Sequence, residues 1–184
     1  DVPDFKKRNR KLLEWFKHQL EILGVECRFN LKLGPEEVLA LDADEIVIAT
    51  GGTPKKLAVP GANLKNVLSA ADALMGKRLP GKKVVLVGGG QVGCETAIWL
   101  QGKGYQVCVV EIRNELMAGG SEPMPHTNKD MLTDLLAFHH ISVYLGTTVK
   151  EITENSVVIT GKNGAAVLDA DSVVLSIGYD SNDD

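Results

Sequence analysis

A glycine-rich turn near the middle of the chain has the residue types and spacing that bind phosphate. The stretch VVLVGGGQVGCETA, residues 84–97, runs from an apolar strand pattern into a helix pattern. Between the two patterns lies Gly88-x-Gly90-x-x-Gly93. The first glycine permits a tight turn, the second lets a pyrophosphate approach the backbone, and the third lets the helix pack closely on the strand. The amides and dipole at the start of the helix then favour the phosphates, which predicts nucleotide binding.

An acidic residue follows the next strand pattern at the spacing that such a site requires. Glu111 ends the stretch YQVCVVE, 18 residues after Gly93. A carboxylate there can accept a hydrogen bond from an adenosine ribose 2'-hydroxyl and would repel a 2'-phosphate, which favours NAD(H) over NADP(H). Arg113 lies two residues further on and could instead pair with a 2'-phosphate, or it is an ordinary loop charge. We therefore predict NAD(H), with NADP(H) as the alternative.

Glu95 is a further candidate, in the first turn of the same predicted helix. It either balances the positive end of the helix dipole or faces the nicotinamide end of the cofactor. Cys27, Cys94 and Cys108 form no CxxC pair, and the histidines lack metal-ligand spacing. The sequence thus predicts no redox disulfide, no metal site and no catalytic residue. We expect the cysteines to be small buried residues of a cytoplasmic protein.

The composition is that of an ordinary globular protein. The chain has 184 residues, of which 44% are apolar and 24% charged, and its net charge is -4. That charge gives no case for binding nucleic acid or an anionic membrane, and no apolar run reaches the ~18 residues of a membrane span. Because the chain opens without Met inside a helix pattern, both of its ends look like cuts through a larger protein.

Periodicity predicts a β-α-β unit around the glycine turn, followed by an antiparallel meander. The predicted strands are KKVVLV, YQVCVVE, ISVYLG and ADSVVLSIG, with the meander formed by TTVKEITE, NSVVITG and GAAVLD. The predicted helices are residues 91–103, with Val92, Ala97, Ile98 and Leu100 facing inward, and residues 128–138, with Met131, Leu132, Leu135 and Leu136 on one face. We read this as a parallel sheet of α/β type.

The N-terminal part contains elements of a second unit. Residues 4–23 have helical spacing, VECRFN is a short strand pattern, and Ile46–Ala49 is the pattern of a buried strand. Ser69 and Asp72 predict a capped short helix. LDADEIVIATGG and LDADSVVLSIGYD resemble each other, which indicates two related units, each ending a sheet in the same way.

The stretches GGGQVGCETA, EIVIATGGTP, VPG and DSVVLSIGYD together resemble the two-dinucleotide-domain flavoprotein reductases. Within them the chain is most similar to the NADH:flavin oxidoreductase family of 2,4-dienoyl-CoA reductase, 2-enoate reductase and trimethylamine dehydrogenase. The resemblance covers nearly the whole chain. It implies a Rossmann-like parallel sheet with an antiparallel meander, plus part of a second related domain. Residues 1–78 would be a partial FAD-type domain, residues 79–180 an NAD(P)-binding domain and residues 181–184 a tail.

The resemblance also implies a cofactor-binding set. It consists of Gly88, Gly89, Gly90, Gln91, Val92, Gly93, Glu95, Glu111, Arg113, Thr50, Gly51 and Gly178. Within this set Glu95 and Gly178 would approach the nicotinamide, whereas Thr50 and Gly51 would lie near the nucleotide of the FAD side.

In such proteins NADH delivers hydride to a flavin. The resemblance implies FAD in the parent protein, with FMN and an iron–sulfur cluster in an N-terminal barrel that this chain lacks. The first βαβ unit of the FAD domain and its closing segment are missing as well, and SIGYDSND lacks the proline that many relatives have after this motif. We therefore expect an oxidoreductase fragment, inactive alone, whose parent reduces the C=C bond of an enoate or enoyl-CoA. The alternatives are an electron-transfer subunit of the glutamate synthase small-subunit type and a nucleotide-binding module without turnover.

Overall fold

The computed structural model describes residues 3, 6, 8–118 and 125–182. They divide into two compact units, one containing residues 3–52 and 181–182 and the other containing Thr53–Asp180. The start of the predicted first helix, residues 119–124 of the predicted loop and the end of the tail lie outside the described residues. Within the described ranges, no helix combines the length and the apolar composition that a bilayer crossing requires.

The first unit contains helix α1 (Arg8–Ile22) and helix α2 (Pro35–Leu39). Helix α1 buries none of its residues, although its apolar side chains have helical spacing. The strand predicted at Ile46–Ala49 is not formed, and Val47 is 89% exposed. The strand predicted at VECRFN is also absent. Both predictions are wrong here because a strand needs a hydrogen-bonding neighbour, and among the described residues no strand pairs with either segment.

The second unit contains a five-stranded, fully parallel sheet with the strand order β2-β9-β3-β4-β5. Its strands are β2 (Val67–Ser69), β3 (Lys83–Val87), β4 (Gln106–Val110), β5 (Ser142–Tyr144) and β9 (Ser172–Leu175). Three helices accompany it, namely α3 (Ala70–Leu74), α4 (Gln91–Gly102) and α5 (His126–Phe138). The separate antiparallel sheet is β6 (Thr148–Ile152), β7 (Ser156–Gly161) and β8 (Gly164–Asp169). Strands β1 (Gly52–Pro54) and β10 (Tyr179–Ser181) pair with each other.

Strand β3 shows why the sheet lies at the centre of this unit. Val84 and Leu86 belong to a core shared with α4 and α5, whereas Val85 and Val87 belong to a core shared with the meander. Because successive side chains of a strand point to opposite faces, a strand covered on both faces is apolar at every position. The continuous run VVLV therefore predicts a covered central strand, and the predicted α/β fold class is confirmed.

Three details differ from the prediction. Val92 is 47% exposed and does not face inward, although Gly93 and Cys94 in the same first turn of α4 are buried. Met131 of α5 is 50% exposed, whereas Leu132 and Leu136 of that helix are buried as predicted. Strand β2 was not predicted, since three residues are too short for a periodic signal.

The compact second unit starts at Thr53, although the NAD(P)-type domain is predicted to start at residue 79. The difference arises because β2 pairs in parallel with β9 and so attaches the preceding segment to the sheet. The assignment of residues 1–78 to an FAD-type domain concerns the parent protein and stays a prediction.

Candidate dinucleotide-binding site

The three glycines of the motif meet three different physical requirements. Gly88 has φ +107°, and a Cβ built on it would lie 2.3 Å from the carbonyl oxygen of Ser176. A Cβ on Gly93 would lie 2.0 Å from the carbonyl oxygen of Gly88, so α4 packs directly on the turn. A Cβ on Gly90 would meet no heavy atom within 4 Å. Two glycines are thus required by packing, while the third faces open space that a phosphate can enter.

The turn lies at the switch point of the parallel sheet. The chain continues from β3 to β4 on one side, whereas β9 lies on the other side of β3. Gly88 N donates to the Val110 carbonyl at 2.9 Å, and Ser176 N donates to the Val87 carbonyl at 2.8 Å. The carboxyl ends of three strands are therefore tied together at the place where open α/β sheets bind their ligands.

A first cleft of about 600 Å³ opens on the β4 side of the turn. Its apolar walls come from Leu57, Val87, Val110, Ile112, Met117, Ala118, Val149 and Ile177, and its polar or small residues are Gly88, Gly90, Glu111, Arg113, Thr147, Thr148, Ser176 and Gly178. A mainly apolar cleft with a few polar groups at defined positions is typical of a ligand site.

A second cleft of about 220 Å³ opens on the β9 side. Gln91 and Val92, at the start of α4, line it together with the α3 start at Ser69. Gly90, Ser176 and Gly178 line both clefts. The two clefts therefore flank the second glycine of the motif, an arrangement that suits the two halves of a dinucleotide joined by a pyrophosphate over Gly90.

Glu111 lies in the first cleft and is 8% exposed. Its carboxylate accepts hydrogen bonds from Gly89 N at 2.5 Å and from Arg113 N at 2.8 Å. A carboxylate has about four acceptor positions, so these two bonds leave capacity for a ribose hydroxyl. The Arg113 guanidinium lines the same cleft and donates to the carbonyl of Ala118.

Glu95 is also 8% exposed, and it accepts a hydrogen bond from the Gln91 side chain at 3.0 Å. It does not belong to the lining of either cleft. The neighbouring Cys94 is fully buried, and its thiol donates to the Gly89 carbonyl at 3.4 Å. Burial, with a smaller effect of the nearby carboxylates Glu111 and Glu95, raises the pKa of the Cys94 thiol to about 12. A thiol of this kind stays neutral and unreactive at neutral pH.

The other two cysteines differ in their exposure to solvent. Burial raises the pKa of the Cys108 thiol to about 11, whereas Cys27 is exposed, so the expectation that all three cysteines are buried is wrong for Cys27. Cys27 belongs to the first unit, whose helix α1 is likewise unburied. Within the described part of the chain, no group of three or more His, Cys, Asp or Glu residues could hold a metal ion.

Thr50 and Gly51 are the two predicted site residues that belong to the first unit. The Thr50 hydroxyl donates to the Asn182 carbonyl, and Asn182 N donates to the Gly51 carbonyl at 3.0 Å. Gly178, in contrast, lines both clefts of the second unit, with φ +98° and its carbonyl bonded to Lys55 N. The residues predicted for the NAD side thus lie in the glycine turn or in its two clefts. Glu95 is the exception, since it is buried next to the turn and lines neither cleft.

Sequence reasoning missed several residues that line the first cleft. They are Leu57, Ile112, Met117, Ala118, Thr147–Val149, Ser176 and Ile177. Ser176 and Ile177 directly precede Gly178, so the stretch SIG was a usable signal. Met117 carries no such signal, because its place depends on a loop conformation with φ +55°.

The sheet, the glycine turn and its flanking clefts define a dinucleotide-binding domain. Residues 7–184 match the family model described as pyridine nucleotide-disulphide oxidoreductase, and the chain belongs to that family. This membership confirms the predicted resemblance and makes the chain a domain of the FAD/NAD(P)-binding type.

Two curated relatives and one solved structure illustrate the similarity. Cinnamate reductase of Clostridium sporogenes is 40% identical over 183 residues, covering 100% of this chain and 27% of the relative. Bilirubin reductase of Mediterraneibacter gnavus is 31% identical over 181 residues, covering 98% and 28%. The complex of 2-naphthoyl-CoA reductase with 2-naphthoyl-CoA has a TM-score of 0.84 and 28% identity, covering 95% and 26%. The chain thus spans about a quarter of the length of these relatives.

Proposed function

We propose that the second unit binds NADH across the glycine turn and presents it to a flavin of the parent protein. The adenosine half occupies the first cleft, the pyrophosphate lies over Gly90, and the nicotinamide occupies the second cleft. The observation that carries this proposal is the pair of clefts that share Gly90, Ser176 and Gly178. The first four amides of α4 have no partner within the helix, and the helix dipole adds to their attraction for phosphate.

The preference for NADH over NADPH rests on Glu111. Its carboxylate is largely buried, so water screens its charge poorly, and a 2'-phosphate placed beside it would be repelled. The Arg113 guanidinium lines the same cleft and donates to the Ala118 carbonyl, so it would offset part of this repulsion. We expect NADH to bind at least about tenfold more tightly than NADPH.

The parent protein carries the flavin and the substrate site. When bound, the nicotinamide supplies a hydride to a flavin, and the electrons pass onward to an activated C=C bond of an enoate or an enoyl thioester. The support is the 40% identity to cinnamate reductase and the similarity to 2-naphthoyl-CoA reductase. FAD in the parent, and FMN and an iron–sulfur cluster in its barrel, belong to the same proposal. This chain contributes binding and orientation, and alone it has no turnover.

Calorimetric titration of the folded chain with NADH, NADPH, ADP and FAD tests the binding half of the proposal. We expect NADH and ADP to bind, NADPH to bind more weakly, and FAD to bind poorly because FAD would require the other dinucleotide domain. A chain that is folded by circular dichroism and binds no adenine nucleotide would contradict the proposal. Equal affinity for NADH and NADPH would contradict the role given to Glu111.

A further inference from the structure

Glu111 is fixed in place by its own backbone as well as by its side chain. Its N–H donates to the Tyr144 carbonyl at 2.9 Å, and its carbonyl accepts from Thr147 N at 2.9 Å. These bonds attach it to the end of β5 and to the segment that leads into the meander. A carboxylate on so constrained a backbone acts as a rigid support, in contrast to a surface side chain that samples many rotamers.

The two carboxylate oxygens of Glu111 have different backbone partners. Oε2 accepts from Gly89 N at 2.5 Å, and Oε1 accepts from Arg113 N at 2.8 Å. Hydrogen bonds to an ionised acceptor are about twice as strong as neutral ones. Because the bond from Gly89 is buried, the Gly89 N–H would lack a water partner if the carboxylate were removed.

Gly89 is held from its other side as well. Its carbonyl accepts from Met117 N at 2.8 Å. A Cβ on Gly89 would lie 2.5 Å from Leu116 Cδ2 and 3.0 Å from Glu111 Cβ, so these two side chains pack closely against the residue. The dinucleotide motif leaves this position unspecified, yet here Gly89 is clamped between Glu111 and the Leu116–Met117 pair. We call these four residues the turn clamp.

We propose that Glu111 is a positioning residue for the glycine turn, in addition to recognising a ribose hydroxyl. Through the turn clamp it holds Gly89 so that the following amides keep the direction that the pyrophosphate requires. The inference rests on the proposed binding of NADH. It differs from pure ribose recognition in one consequence, namely that Glu111 matters even for a dinucleotide whose adenosine ribose has neither a 2'- nor a 3'-hydroxyl.

The Glu111→Gln variant tests this consequence because it keeps the shape of the side chain. A glutamine has a single acceptor oxygen, and its NH₂ group cannot accept, so one of the two backbone donors loses its partner. Two ligands are titrated against wild type and variant, namely NADH and the NADH analogue with 2',3'-dideoxyadenosine. We expect the substitution to weaken binding of the analogue about tenfold, and binding of NADH by at least as much.

The outcomes separate the two claims. If Glu111→Gln weakens NADH binding but leaves binding of the analogue unchanged, Glu111 acts through the ribose alone and the positioning role is wrong. If wild type binds neither ligand, the proposed NADH site itself is wrong. Glu154→Gln, at an exposed position outside both clefts, removes the same charge and should change neither affinity.

A measurement on the unmodified chain keeps the inference testable if the variant does not fold. In the ligand-free protein, the Gly89 amide should exchange with deuterium as slowly as the neighbouring strand amide of Leu86. Exchange of Gly89 at the rate of an open loop amide, in a folded protein, would show that the clamp does not hold and would overturn the inference.

Discussion

At the scale of single residues, Gly88 and Gly90 show why identical residues in one motif have different roles. Gly88 combines a positive φ with a close approach to Ser176, so its lack of a side chain is a requirement of folding. Gly90 has φ -71° and free space beside it, a conformation that any residue can adopt. Its lack of a side chain therefore serves what approaches from outside, which is the pyrophosphate of the proposed ligand.

Alanine substitutions should separate these two roles. Gly88→Ala should lower the free energy of unfolding by about 2 kcal/mol or more, because it adds backbone strain and a clash. Gly90→Ala should leave stability within about 1 kcal/mol of wild type. It should nevertheless weaken NADH binding at least about tenfold, since the methyl group holds the phosphates away from the amides. Urea unfolding and calorimetry measure both effects, and wild-type NADH affinity in folded Gly90→Ala would refute the assignment.

The buried thiol of Cys94 makes stability depend on alkaline pH. Its pKa is raised from 9.0 to about 12 in the folded state, so above pH 9 the unfolded chain loses this proton first. The stabilisation is fully present below pH 9 and is lost as pH rises towards 12, by about 1 kcal/mol at pH 10.

Comparison with Cys94→Ala isolates this contribution from the other groups that titrate at alkaline pH. The variant should be less stable than wild type at pH 7, because it leaves a small cavity. The difference should narrow by about 1 kcal/mol at pH 10, where wild type alone loses the thiol contribution. A difference that stays constant from pH 7 to pH 10 in urea unfolding would show that the thiol is not shielded as described.

At the scale of elements, the sequence predicts a helix or strand best where the elements that pack against it belong to the same chain. Strand β3, helix α4 and the meander were predictable from periodicity because the sheet and both of its cores lie in one unit. Strand β2 was not, since its place beside β9 depends on a contact between segments about a hundred residues apart. The strand predicted at Ile46–Ala49 is wrong for the opposite reason. These residues have the pattern of a strand, but no strand among the described residues pairs with them.

The cofactor site follows the same rule. The glycines and Glu111 could be predicted because a local turn and its following strand place them together. The contribution of Thr147–Val149 could not, because the crossover that brings the meander beside the turn has no local signature. The hydrogen bond between Glu111 and Gly89 was beyond prediction as well, since it depends on a rotamer.

Helix α3 gives an element-scale test, because a single side chain caps its start. The Ser69 hydroxyl accepts from Asp72 N at 3.0 Å and lies 2.9 Å from the Asp72 carboxylate, as the sequence predicted for this pair. Ser69→Ala should lower the free energy of unfolding by about 1 kcal/mol. Ser142→Ala, at an exposed position of β5, is the control and should change stability by less than about 0.5 kcal/mol. Equal effects of the two substitutions in urea unfolding would show that the cap does not stabilise the helix.

At the scale of the whole molecule, the two units differ in how completely their apolar side chains are buried. The second unit has two apolar cores, whereas helix α1 of the first unit exposes Leu12, Leu13 and Phe16 by about half. The chain also spans about a quarter of the length of its relatives. Both facts support the proposal that the second unit binds NADH as a self-contained domain, while the flavin and the substrate site belong to the parent protein.

The central claim is that NADH binds across the glycine turn with its two halves in the two clefts. Titration of the ¹⁵N-labelled chain with NADH, followed by amide chemical shifts, tests it most directly. We expect the largest shifts at Gly90, Gln91, Arg113 and Gly178, with ADP shifting Gly90 and Arg113 and leaving Ala71 of the second cleft nearly unchanged. Saturable binding whose shifts fall outside both clefts, or the absence of any shift at Gly90, would contradict the account.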